Sequence, residues 1–455
     1  MDFTKKVGFV ALGEVNTPIE KLMEKHDMAL KAVQFDDCEV YDAGLVIDDP
    51  KYKTADAAIR KLKKQEFDVL LLCVCGWIPT HAVIRVTDEF RHTPMILWGL
   101  CGWKEGKLML TTAEQAGTTA IRPTFQEMHY TFKYFYNVIG EEMPLDGIHK
   151  YITAAHAAKA LRRMHIGTMG YRDMLLYGTQ FEGFSMRRDL GVEVETFEML
   201  EMTQYLKKVK KADVDAEVAY IKKNWKFDAP VDADVEESIV KAVKYALAVG
   251  RKIEERGWEA VTLNDVDGMK KLCGFPPAPV FMILMRRYGI PTTPENDVMG
   301  NVTQLIAKLL TGQISHYMEY YEFGKDSVLI GDPDYVPEDV IDGDVHILPA
   351  PFGLLSKSLV NVSKVKTGYV TNVRLIYTDG KYKIHMYQGE AKRPENWNEY
   401  GWGDPAPHLC SLRVYLDTPV EDFAEKVGCQ HVIVTYGDNK ELFEDFAQIL
   451  GIEII

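Results

Sequence analysis

The run FDVLLLCVCGWIPTH, residues 67–81, decides the fold class. Its apolar stretch is nearly continuous and lacks the in–out alternation of a strand with one wet face. It suits a parallel central strand covered on both sides. Working outward, Lys6–Leu12 reads as a first buried strand and Cys38–Asp42 as a short second one. Pro18–Val33 is predicted as a helix with Ile19, Leu22, Met23, Leu30 and Val33 on its apolar stripe. Lys53–Lys64 is another, turning Ala55, Ala58, Ile59 and Leu62 inward, and Pro94–Leu100 returns as a strand. Strand–helix repetition of this kind predicts an open α/β sheet. Ligands of such sheets sit outside the carboxyl ends of the strands, which makes Gly76, Trp77 and Thr80 candidate pocket residues. No GxGxxG follows the first strand, which argues against a dinucleotide domain.

Thr111–Gly140 reads as two helices carrying Arg122, Gln126, Glu127 and His129, with Gln126 and Glu127 as solvated surface. A second α/β unit starts at HIGTMG, residues 165–170, and continues through VEVETFE and a long helix Val235–Arg256 closed by Gly257. Texture changes from Ser327. VTNVRLIYTDGKYKIHMYQGEA is a hairpin turning at Asp379-Gly380, and HLCSLRVYL and HVIVTYG add strands. The expected fold class is therefore α/β: two N-terminal open α/β (Rossmann-like) domains, 1–164 and 165–326, plus a C-terminal mainly antiparallel β domain, 327–455.

A chain of 455 residues exceeds what one core usually holds, in keeping with several domains. Its formal net charge of -14 argues against nonspecific nucleic-acid binding, although a local basic cluster could still take an anionic substrate. No apolar run reaches the length of a membrane span. The start, MDFTKKVGFVALGE, has an apolar run too short for a signal peptide, so a cytoplasmic location is expected. The seven cysteines are scattered, and Cys73 and Cys75 read as reduced core thiols.

Chemistry concentrates in PTTPENDVMGNVTQLIAKLLTGQISHYMEYYEFG, residues 291–324. Glu295 stands before a predicted helix, Asp297–Leu310, whose free N–H groups favour an ionised acid. It reads either as a metal-binding acid or as a simple capping acid. Glu319 follows the helix, and Glu322, three residues on, would face the other side of a regular strand. His408, in the proline-stiffened GWGDPAPHL, and His431, opening the next strand, read by default as surface or core histidines. Asp332 and Asp334 read as turn caps. Two carboxylates and an imidazole would suit a hard cation such as Mn²⁺ or Mg²⁺. Zinc is less favoured, because no cysteine lies at ligand spacing.

ENDVMGNVTQLIAKLLTG resembles the acid–helix segment of the L-fucose isomerase and L-arabinose isomerase superfamily. The Gly-Trp after the central strand, the late Pro-His before a strand and the closing VTYGDNKELFEDFAQILGI are also similar. The resemblance implies a metal-dependent aldose–ketose isomerase working through an enediol on a monosaccharide. It implies Mn²⁺ as cofactor, with Mg²⁺ or Co²⁺ as substitutes, and a homotrimer or homohexamer. By position, Glu295 and Glu319 resemble the catalytic and metal-binding acids, and His408 the histidine ligand. Trp77 resembles a pocket tryptophan, and Arg122 is a further substrate-binding candidate. The chain departs from the family at Ile330-Gly331-Asp332, where many relatives carry a histidine, and at GEVNTP, which lacks an arginine of L-fucose isomerase. Isomerisation or epimerisation of an anionic, for example sulfonated, sugar is one alternative. A noncatalytic sugar-binding or regulatory protein is another.

Overall fold

The computed structural model describes residues 4–332, 336–349, 357–395 and 410–455. The chain is mixed α/β, with parallel sheets and an antiparallel barrel, and it divides into two compact units. The first runs to Lys159 and includes Glu441–Gly451; the second runs from Ala160 to Lys440 and includes Ile452–Ile455.

In the first unit the strand Val69–Val74 is central in a parallel sheet ordered Cys38–Val46, Lys5–Leu12, Val69–Val74, Met95–Gly99, Phe132–Tyr136. Its unbroken apolar run has a direct cause. Leu70, Leu72 and Val74 enter one buried cluster, with residues of the helices Lys53–Leu62, Thr80–Thr87 and Glu114–Glu127. Val69, Leu71 and Cys73 enter another, against Ile19–Ala32 and Leu145–Leu161. Cys73 and Cys75 are free, buried thiols with their sulphurs 3.9 Å apart. The sheet corrects one expectation. The segment read as two helices holds one, Glu114–Glu127, followed by the edge strand Phe132–Tyr136. FKYFY is aromatic in four of its five residues, and that strand preference prevails once the helix ends at Met128.

The second unit begins with a four-stranded parallel sheet ordered Thr292–Thr293, Ala260–Leu263, His165–Met169, Glu193–Phe197. The long helix is Ala233–Arg256, capped by Asp232 at its start and stopped by Gly257 at φ 65°. Six antiparallel strands then close on themselves. Around the barrel they run Gly368–Thr378, His431–Tyr436, His316–Phe323, Ser327–Asp332, Cys410–Leu416 and Lys381–Lys392, which pairs again with the first. Closure leaves no long unpaired edge. The expected hairpin is there: Leu375 pairs with Ile384 and Val373 with Met386. Asp379 and Gly380 both take positive φ, 52° and 75°, as a two-residue hairpin turn of this twist requires. Met318, Val328, Ile330, Val370, Leu412, Val414, Val432 and Val434 fill the barrel.

His385 belongs to that packing, 2% exposed among the rings of Tyr387 and Phe423. Burial, aided by Lys426, brings its pKa down to about 4. The folded state therefore holds His385 neutral where the unfolded chain, near 6.5, takes up a proton. Stability is full above that range and falls as pH drops from about 6.5 to about 4, by roughly 3 kcal/mol for this one group. Urea midpoints across this window should decline in the parent and decline less in His385→Gln. Parallel declines would show that other groups control the acid limb.

A candidate metal centre at Glu295, Glu319 and His431

Thr292–Thr293 ends at the carboxyl side of the parallel sheet, and the chain turns there through Glu295 (φ 59°) and Asn296 (φ 49°). Left-handed backbone at a glutamate costs about 1 kcal/mol or more and persists only where the surroundings enforce it. Here they do. The Glu295 N–H donates to Asp265 Oδ1 at 2.6 Å and the Asn296 N–H to Leu263 O at 2.9 Å. The Asn296 side chain donates to Met169 O at 2.9 Å and accepts from Thr168 Oγ1 at 3.0 Å. Two strand ends and the Asp265 carboxylate thus hold the turn that aims Glu295.

The helix that follows is Val298–Thr311, and its cap is Asp297, whose Oδ1 accepts from the Gly300 N–H at 2.8 Å. The capping role open to Glu295 in the sequence thus falls to Asp297, because the turn places residue 297 at the helix entry. Asp297 does more than cap. It is fully buried, and Arg374, itself 1% exposed, grips it through Nη1–Oδ2 at 2.6 Å and Nη2–Oδ1 at 2.8 Å. Tyr317 donates its hydroxyl to Oδ2 at 3.0 Å. A Cβ at Gly300 would lie 2.6 Å from both Arg374 Nη1 and Asp297 Oδ2, so this close approach needs glycine. Burial alone would raise the Asp297 carboxyl; Arg374 and His431 outweigh it and hold it well below the usual carboxylate range.

His431 completes the cluster. It opens the strand His431–Tyr436 and pairs directly with Glu319, so the two side chains share one face. Its Nδ1 lies 3.0 Å from Asp297 Oδ2, and its Nε2 lies 3.0 Å from Glu295 Oε2 and 3.3 Å from Glu319 Oε1. The Tyr317 ring packs against it with centroids 4.6 Å apart. Burial disfavours the imidazolium, but Asp297, Cys429, Glu295 and Glu319 raise the His431 pKa well above its ordinary value. Several groups around one imidazole therefore demand a positive charge, which a proton or a metal cation can supply.

Donor atoms of Glu295, Glu319 and His431 lie within 4.8 Å of one another. Two carboxylate oxygens and an imidazole nitrogen fit a divalent cation such as Mn²⁺. The carboxylate at Nδ1 is the outer partner that fixes the tautomer and aims Nε2. Asp297, Cys429 and His431 also meet within that limit. Both Asp297 oxygens are already engaged, which leaves the Glu295 triad as the better cation site.

Of the residues singled out from sequence, the structure brings Glu295 and Glu319 together. His408 and Asp334 lie outside the described residues. A bulge inserts Tyr321, which returns Glu322 to the Glu319 face of the strand, against the simple alternation, and leaves it exposed. Trp77 and Arg122 belong to the first unit. Trp77 follows the central strand and its N–H donates to Thr112 O, while Arg122 lies on Glu114–Glu127 with its guanidinium 4.9 Å from the Tyr134 ring centre. Asp297, Tyr317 and Arg374 carry no distinguishing signal in the sequence. The only local hint was an aspartate at a helix start, which any capped helix offers.

A profile of the L-arabinose isomerase central domain matches residues 179–290, ending before Glu295. The L-arabinose isomerase of Oceanobacillus iheyensis is 24% identical over 284 residues, 58% of this chain and 57% of that protein. L-arabinose isomerase 2 of Bacillus licheniformis is 22% identical, over 61% of this chain and 59% of that protein. The L-arabinose isomerase of Saccharophagus degradans is 21% identical, with 61% and 56% covered. The matches therefore span less than two thirds of each relative's length. Together they make the chain similar to the L-arabinose isomerases, of the sugar isomerase superfamily that also holds the L-fucose isomerases.

Proposed function

We propose that the chain is an aldose–ketose isomerase that depends on a divalent cation, Mn²⁺ by preference, and works through a cis-enediol. The observation that carries this reading is the convergence of Glu295 and Glu319 on His431. Glu295, Glu319 and His431 would hold the cation. When bound, it would stabilise negative charge developing on the sugar's O1 and O2.

The chain's own residues divide the remaining work. Glu295 and Glu319 approach from different elements, a sheet-end turn and a barrel strand, and their side chains are 13% and 25% exposed. They are open enough to meet a substrate and buried enough to limit water. One takes the proton from C2 and returns it to C1, while the other moves a proton from O2 to O1, each step reversed in the opposite direction. Asp297, locked by Arg374 and Tyr317, keeps His431 oriented. Trp77 and Arg122 remain proposed substrate-binding groups.

The test is exchange of the substrate's C2 hydrogen in D₂O, before and after chelation. Activity and exchange should vanish in metal-free protein and return with Mn²⁺. Full turnover by protein shown metal-free by elemental analysis would refute the proposal. Sugar binding with no exchange for any aldose would favour a noncatalytic binder.

We further propose a homotrimer or homohexamer. Tyr171, Leu175, Tyr177 and Phe184 are each more than two-thirds exposed within one short segment of the second unit, an apolar density uncommon on a monomer's free surface. Light scattering should return three or six times 51.7 kDa. A fully active monomer would rule this out. Among the described residues no helix is long and apolar enough to cross a membrane.

A further inference from the structure

Beside the candidate metal centre lies a cavity of about 120 Å³. Asn296, between Glu295 and Asp297, and Val298, just after them, form part of its wall. Thr168, Thr179, Thr196 and Gln180 supply further polar groups, and Arg172 is the one charged residue of the lining among the described residues.

Among the described residues, the groups recorded against that guanidinium are neutral. With its amide turned so that oxygen faces inward, Gln180 accepts from Arg172 Nε and Nη1, both at 3.2 Å. Cζ lies 4.5 Å from the centre of the Tyr177 ring. Two acids close in sequence are committed elsewhere. Asp173, fully buried, accepts from the N–H groups of Met174, Val266 and Asp267 at 2.8–3.0 Å. Glu182 accepts from those of Phe184 and Ser185 at 3.0 and 2.6 Å. Their hydrogen bonds fix the loop and leave the arginine's charge facing the cavity. A guanidinium with unspent donors, ringed by hydroxyls and an amide, is suited to a planar or tetrahedral oxyanion.

We infer that Arg172 binds an anionic group at the end of the sugar remote from C1. The preferred substrate class is then an aldose bearing a terminal carboxylate, phosphate or sulfonate. This rests on the isomerase reading for the identity of the ligand, and on the cavity for the charge.

The test uses the full-length, Mn²⁺-loaded protein. Calorimetry compares a neutral aldose with its terminally carboxylated, phosphorylated and sulfonated counterparts, and with inorganic phosphate and sulfate alone. Binding is measured for the parent, Arg172→Met and Arg172→Lys. The parent should bind one anionic sugar roughly 10- to 100-fold tighter than the neutral one, the scale of a charge-assisted pair. Arg172→Met should erase that ratio, and Arg172→Lys should keep part of it. Equal binding of neutral and anionic sugars by the parent would overturn the inference. So would an unchanged ratio in Arg172→Met, or inorganic phosphate or sulfate binding as tightly as the anionic sugar. C2-hydrogen exchange is read on the same panel. Anion preference without exchange would reject the isomerase reading while keeping the site, and exchange without preference would do the reverse.

Discussion

Glu295→Gln and Glu319→Gln should each lower turnover by roughly 10²-fold or more, the usual scale for a positioned acid or base. Glutamine keeps the size of the side chain and one oxygen, so folding should survive. It cannot carry the proton and is a poorer ligand, so loss of rate alone would be ambiguous. The measurement that separates the two effects is C2-hydrogen exchange at saturating Mn²⁺, with metal content verified in each sample. Both variants should lose exchange and net isomerisation together. Glu322→Gln is the control, because that residue is exposed on the same strand and outside the cluster. A fully metallated double variant that exchanges at the parent rate would remove these acids from the mechanism.

The second large effect concerns the histidine. His431→Gln should weaken Mn²⁺ binding to metal-stripped protein by two orders of magnitude or more, roughly the loss of a charged or imidazole ligand. Tyr317→Phe should weaken it less, about 10-fold, because it removes only one hydrogen bond to the carboxylate behind His431. Asp297→Asn would leave the buried Arg374 charge without its partner, at a cost of about 3–5 kcal/mol. Its metal affinity is therefore informative only with a thermal melt on the same sample. Calorimetric titration of Mn²⁺ into the variants gives the numbers without any assay of activity. His408→Ala in parallel decides between the two histidines. If it abolishes binding while His431→Gln does not, the ligand is the residue suggested by resemblance, and the cluster described above is structural.

pH should act on the same titration with a definite sign. His431 takes up a proton more readily than an ordinary histidine, and a metal ligand must shed it. Mn²⁺ affinity should therefore rise with pH through the neutral range, with proton release on binding. An affinity flat from pH 6 to pH 9 would mean that His431 carries no proton in the metal-free protein.

Much of the architecture was legible in the chain itself. An unbroken apolar strand at Val69–Val74 needs cover on both faces, so it announces a parallel sheet between helices. Asp379-Gly380 announces the hairpin, because few dipeptides accept two successive positive φ angles. Phe132–Tyr136 is ambiguous in the sequence, since five residues fit helix or strand until their place at a sheet edge is known. Glu295 and Glu319 could be singled out because each sits at a local landmark, one before a helix and one after it.

Their partner could not. His431 stands 112 residues beyond Glu319, and only the strand register sets them face to face. Asp297 looks like any capping residue until Arg374 arrives from a strand 77 positions later. The local sequence settles which residues can be acids, caps and strands, because those properties depend on side-chain chemistry and short-range backbone preference. Which imidazole the acids share is decided by barrel closure, where hydrogen-bond register between distant strands fixes what a single residue can touch.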